Sequence, residues 1–419
     1  MTGKTISEKI LSVNSSTDAR AGQVVVAKPD VLMGNDTKTP IALSMLRSLN
    51  WQGSMHTERL VLVVDHFVPP AEERRANDQM AMRAFARENN VRFYDAGVGV
   101  AHQVIMEEGY VLPGTIVLGT DAHCTTYGAL NAFGTGISST ELIGALINGY
   151  IWLKVPQTIK IELRGSLPPG VFSKDIILNT IKSIGLRGCA DYRALEFSGE
   201  GLFGLEVDDR FTLCNMAVDM GAKTAIVEAD RKVLDWLQDR ATQNFTPVSA
   251  DPDAIYEETY STELDSLVPL VAAHPAMDNV KPAHELREVD IQQAFIGTCC
   301  NGRLSDLRVA ASIVAGKQVH PDVRLYVGPA SRKVYIDAVH QGIVETLTKA
   351  GAIILPPSCG PCAGFTCSAI PAAGQRMIST ANRNFPGRAG AEGAEVYLAS
   401  PATVAASALT GAVTDPRDL

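Results

Sequence analysis

The chain has 419 residues, 46% hydrophobic and 20% charged, and a mean hydropathy of +0.06. That balance excludes a disordered or collagen-like chain, and the length exceeds what one core normally holds. Thirty-seven Lys and Arg against 46 Asp and Glu give a formal net charge of -9, which leaves no general basic surface for a phosphate backbone and excludes nucleic acid as the main partner.

The polar opening MTGKTISEKILSVNSSTDARAGQ lacks the apolar segment of a secretory signal. No apolar run approaches the roughly 18 residues of a membrane helix. A cytoplasmic protein without a membrane partner is expected. Further along, one grammar recurs: a short β-branched apolar run, a Gly-rich polar loop, then helical periodicity. It occurs at 60–64 before Asp65 and His66, at 115–118 before GTDAHC, and at 294–296 before GTCCNGR. It returns at 324–327 before GPASRK, at 352–355 before PPSCGPC, and at 395–398 before ASPATVAASA. Such repetition predicts an α/β fold with mostly parallel sheets, whose ligands lie beyond the carboxyl ends of strands.

A helix-like apolar run at 141–153 gives way near Val155 and Pro156 to the strand-like TIKIEL. A loosely patterned acidic stretch at 246–281 precedes the strand at 294. Three α/β domains are therefore expected, at 1–156, 157–283 and 284–419, the third carrying the cysteine cluster. GVGVAH at 97–102 lacks the third glycine of a dinucleotide loop and a suitably placed acid, so no nicotinamide site is expected.

Of eight cysteines, at 124, 189, 214, 299, 300, 359, 362 and 367, five fall between Cys299 and Cys367. In a reducing compartment such a cluster more often binds metal or does chemistry than staples a fold. The C-x-x-C at 359–362 admits a redox pair, a structural zinc site, an iron-sulfur cluster or simply buried thiols. Adjacent cysteines tend to point apart, which counts against zinc, and three thiolates on two loops suit a cubane with one iron free.

GTDAHC (119–124), IGTCCNGR (296–303), SCGPCAGF (358–365) and NRNFPGRAG (382–390), in that order and spacing, resemble the aconitase superfamily. The resemblance runs through nearly the whole chain, and the length and the opening KTISEKIL are similar to the separate large subunits of its isopropylmalate dehydratase and homoaconitase branch. It implies a three-domain α/β/α architecture around an iron-sulfur cluster, without the mobile swivel domain. It also implies a hydro-lyase acting on a hydroxy-dicarboxylic acid. Isopropylmalate, of leucine biosynthesis, comes first; dimethylmalate, citramalate and homocitrate-type acids stay open.

By the same resemblance Cys299, Cys359 and Cys362 hold a [4Fe-4S] cluster. Asp65 and His66 form an acid pair in which His66 protonates the departing hydroxyl, and Asp121 orients His102. His123 and Asp219 complete the catalytic set, while Arg383, Arg388 and Asn301 bind substrate. The chain departs from the family pattern at Ala122, usually Ser, at Cys124 and Cys300, usually Thr, and at Asp219, usually Glu and longer by about 1.5 Å. The Gly-Ser-Ser-Arg-like loop with a catalytic Ser does not appear, since GPASRK at 328–333 lies in another register. A separate small subunit carrying the swivel domain and that loop is implied. A reading from another class is an electron-transfer or structural protein in which Cys300 or Cys367 closes the cluster. His56, His274, His284, His320 and His340 match no motif.

Overall fold

The structure, a computed structural model, describes residues 3–186, 188–366 and 368–419. Cys367, the alternative cluster ligand, lies outside the described residues. Three larger sheets carry the chain. The first is five-stranded and parallel, in the order Arg92–Tyr94, Leu60–Val63, Val31–Asn35, Ile116–Gly119, Phe133–Gly136. Its central strands are buried at every position, as expected when helices cover both faces of a parallel sheet.

The second sheet is also parallel, in the order Thr224–Val227, Ala194–Ser198, Thr158–Arg164, Glu258–Glu263. The third has seven strands: Val280–Pro282, Leu270–Ala272, Glu395–Ala399, Arg376–Ser379, Gln293–Ile296, Arg324–Val327 and Ile353–Ile354. Leu270–Ala272 runs antiparallel to both neighbours, and the five strands from Glu395–Ala399 onward are mutually parallel.

Two segments differ from the sequence reading. The run at 141–153 is a helix only over Ser139–Asn148; Gly149, at φ 79°, ends it in the left-handed region. Ile151–Lys154 then pairs antiparallel with Val24–Ala27, turning Ile151 and Leu153 inward and Trp152 and Lys154 outward. The acidic stretch at 246–281 supplies three strands. Glu258–Glu263 joins the second sheet, whereas Leu270–Ala272 and Val280–Pro282 join the third. The third sheet thus draws strands from ahead of residue 283, because 270–272 pairs with 398–399.

One apolar core contains side chains from all three sheets, among them Val63, Ile161 and Phe295. The strand-end loops of the first and third sheets meet directly: the Cys359 amide donates to Asp65 O at 2.9 Å, and the Val100 amide to Ala330 O at 2.8 Å. Among the described residues, no helix is long and apolar enough to cross a membrane.

Candidate active site

A cavity of ≈ 400 Å³ lies where these loops meet, lined by His66, His102, Asp121, His123, Cys299, Cys359, Cys362, Arg383 and Arg388 among others. Each of those residues was expected from sequence. Three further candidates stand behind its wall: Asp65 behind His66, Asp219 behind His123 and Arg383, and Asn301 deeper in the third sheet's loop.

The cysteines come from two strand-end loops. Cys299 follows Gln293–Ile296 after Thr298, a β-branched residue held at φ 72°; such backbone costs about 1–3 kcal/mol and persists only where its surroundings fix it. Here the Thr298 side chain accepts from the Cys300 amide at 3.1 Å, and Arg303 holds the carbonyls of Cys299 and Cys300 at 2.8 and 2.5 Å. Cys359 and Cys362 follow Ile353–Ile354. With Val100 and Ala363, all three thiols form one small buried cluster. Cys300 instead meets Lys174 Nζ at 3.3 Å, outside the cavity lining.

Burial pushes the Cys299 thiol well above its ordinary value. The hydrogen bond between Cys359 and Cys362 raises the first and pushes the second down to about 6, where Arg388 and His66 also favour the thiolate. Asn215 Nδ2 donates to Cys299 Sγ at 3.2 Å, and Arg388 Nη2 lies 3.9 Å from Cys362 Sγ. Three convergent thiols on one cavity wall, with hydrogen-bond donors to sulfur beside them, fit an iron-sulfur cluster held by three cysteines. His66 stands beside the pair Cys359 and Cys362, their ligand atoms within 4.8 Å of one another, but its Nδ1 is engaged by Asp65.

The acid-base groups come from the first sheet. Asp65 and His66 follow Leu60–Val63, and Asp65 Oδ1 meets His66 Nδ1 at 2.7 Å. Burial would lower the His66 pKa, but Asp65, helped by Cys362 and Asp36, pushes it up to about 10. Asp36 fixes the loop by accepting from the amides of Asp65, His66 and Phe67 at 3.2, 3.0 and 3.0 Å. The Phe365 ring stacks on His66 with centroids 6.0 Å apart.

His102 sits between Tyr127, with its hydroxyl 2.9 Å from Nδ1, and Asp121, with Oδ1 2.9 Å from Nε2. Asp121 also accepts the His123 amide at 2.9 Å. Burial opposes its ionisation, yet the bonds from His102 and His123 hold it well below the carboxylate range. His123 Nε2 lies 3.3 Å from Asp219 Oδ2, and Arg383 Nε donates to Asp219 Oδ1 at 2.6 Å. Asn301 gives its amide to Thr212 Oγ1 at 3.1 Å and Asp306 Oδ1 at 3.0 Å, and its buried Oδ1 has no partner in the structure. Arg388 Nε is likewise buried without a partner, a donor free for an anion.

Sequence reasoning assigned no role to Asn215, Asp36, Tyr127 or Phe365. Phe365 falls within the motif SCGPCAGF, but its contact, like that of Asn215, reaches across the chain, to residue 66 for Phe365 and 299 for Asn215.

Residues 8–280 and 271–411 match the model of the aconitase family (aconitate hydratase). The chain belongs to the aconitase family. Curated relatives in that family include the 3-isopropylmalate dehydratase large subunit 1 of Methanopyrus kandleri, 46% identical over 416 residues, covering 99% of both chains. The protein of the same name from Thermotoga maritima is 44% identical, again over 99% of both. That of Pyrococcus furiosus is 42% identical over the whole of both chains. Family membership agrees with the mixed α/β architecture and its parallel sheets.

Proposed function

We propose that this chain is the cluster-bearing large subunit of a hydro-lyase that removes and adds water at a hydroxy-dicarboxylic acid, with 3-isopropylmalate as substrate. The carrying observation is the convergence of three thiols, three histidines and two arginines on one cavity. The relatives at 42–46% identity are named for that substrate. Cys299, Cys359 and Cys362 would hold a [4Fe-4S] cluster, which when bound supplies a Lewis acid for a hydroxyl, otherwise a poor leaving group.

The protein's own groups do the rest. Arg383 and Arg388 are permanently charged and take substrate carboxylates by paired hydrogen bonds. His66, kept cationic by Asp65, holds a proton at Nε2 toward the cavity and gives it to the departing hydroxyl. His102 and His123 lock Asp121 in its ionised form. Asp219 fixes Arg383 and His123 in place. Proton abstraction from carbon falls to a serine on a separate small subunit, in keeping with the "large subunit" naming of the relatives. Cytoplasmic location and a place in leucine biosynthesis belong to the same reading.

The test is electron paramagnetic resonance on anaerobically reconstituted chain, followed by turnover of 3-isopropylmalate with and without a small subunit. A three-iron signal that appears on mild oxidation and vanishes with ferrous iron is expected, and turnover only with both subunits. A full cluster giving no such signal would instead indicate four protein ligands and electron transfer.

A further inference from the structure

Two fully buried cations flank the turn Thr298–Asn301, and neither forms an ion pair with a carboxylate among the described residues. Lys174, 0% exposed, donates to the carbonyls of Thr380 and Ala381 at 2.9 and 2.8 Å and to Cys300 Sγ at 3.3 Å. Arg303, 1% exposed, donates to the carbonyls of Cys300 and Cys299 and, at 3.2 Å, to Gln103 Oε1; its guanidinium lies 4.8 Å from the Phe211 ring centroid. The same fold treats a third buried cation conventionally, giving Arg210 a two-pronged pair with Asp230 at 2.8 and 2.5 Å.

The acids adjacent in the chain are committed elsewhere. Asp175 accepts from the amides of Phe172 and Leu270, and Asp306 from the Arg303 amide and the Asn301 side chain. Burial pushes both carboxyls up to about 7, although Lys174 favours the ionised form of Asp175 and Arg303 that of Asp306.

A buried charge without an opposite partner is costly, and carbonyl dipoles repay only part of that cost. The chain can keep two such cations cheaply only if an anion offsets them in the working state. The thiol nearest these cations is that of Cys300, against Lys174, and beyond it lie Cys299, Cys359 and Cys362, whose thiolates leave a loaded cubane net negative. We propose that Lys174 and Arg303 are the built-in counter-charges of the loaded cysteine site. They act as positioning residues that steady the Cys299 turn and the loop leading to Arg383 while raising the cluster's reduction potential. This rests on the cluster reading above.

The test uses the full chain carrying Lys174→Met or Arg303→Met, with Lys174→Gln as a neutral variant that keeps hydrogen bonding and Arg303→Lys as one that keeps charge. Two quantities are read: the one-electron potential of the reconstituted cluster, by titration with dithionite followed by paramagnetic resonance, and the urea stability of the metal-free chain. Each neutral variant should lower the potential by a tenfold shift in the reduction equilibrium, ~59 mV, whereas Arg303→Lys leaves it unmoved. The metal-free Lys174→Gln chain, which keeps a donor for the Thr380 and Ala381 carbonyls, should be at least as stable as the unaltered chain. Loaded neutral variants with an unchanged potential would overturn the proposal, as would a stability loss of Lys174→Gln confined to the metal-free chain. If the unaltered chain takes up no iron and sulfide, the cluster reading falls and this inference falls with it.

Discussion

Arg383 and Asp219 form an ion pair, Nε to Oδ1 at 2.6 Å, that ties the loop after the strand Arg376–Ser379 to the turn following the helix Val207–Met216. The Asp219 side chain is 1% exposed and that of Arg383 27%. Burial opposes the Asp219 charge, but His123 and Arg383 hold its carboxyl below the ordinary 3.8. A lowered folded value means that the stability is present above the unfolded pKa and is lost as pH falls through the folded one. Asp219→Asn should cost about 2 kcal/mol near neutral pH, less than the ~3–5 of a fully buried pair because Arg383 still reaches water. Urea unfolding should show that difference closing below about pH 4; a constant difference across the range would contradict it.

Cys299 faces the cavity and Cys300 faces Lys174, so the two adjacent thiols should behave oppositely. Replacing Cys299, Cys359 or Cys362 by Ser should prevent stable iron loading. Cys300→Ser should load normally and keep the three-iron signal. Iron and sulfide analysis on the four variants settles the register, and loss of iron from Cys300→Ser would reassign the ligand.

The Asp65 carboxylate holds His66 in its cationic form. With a small subunit present, His66→Asn should lower kcat by about 10²–10⁴, the usual worth of a positioned proton donor, while KM moves little. Steady-state kinetics would separate the two, and a rise in KM alone would recast His66 as a binding group.

Asp175 spends its two oxygens on the amides of Phe172 and Leu270, at 2.8 and 2.7 Å, yet burial pushes its carboxyl up to about 7 from 3.8. A raised folded value means that the stabilisation is fully present below the unfolded pKa and is lost as pH rises through the folded one. Measured against Asp175→Asn, the wild-type chain should therefore lose about 2–4 kcal/mol between roughly pH 4 and 8. A pH-independent difference in urea midpoint would show that the carboxyl stays charged throughout.

Local pattern made much of this molecule legible. The strands at 60–63, 116–119, 293–296 and 395–399 are nearly unbroken apolar runs, and a doubly covered parallel sheet demands just that pattern. The thiols and histidines were legible because few residue types can do their chemistry and because they fall in spaced motifs. What local pattern hides is pairing across the chain. Ile151–Lys154 reads as the tail of a helix until Val24–Ala27 gives it a partner. Glu258–Glu263 is mostly polar because only its backbone and one edge join the second sheet. Asn215 contacts Cys299, 84 positions away, so nothing local marks it. Lys174 likewise reads as an ordinary surface lysine until the loops at 300 and 380–381 close over it.

The three thiols and both arginines all rise from the third sheet, whereas His66, His102 and His123 rise from the first. The residues proposed to hold the metal and the substrate's carboxylates thus belong to one sheet, and those proposed to move protons to another. A relative slip of about 1 Å, enough to cost on the order of a hundredfold in rate, would stall the reaction while metal and substrate stayed held.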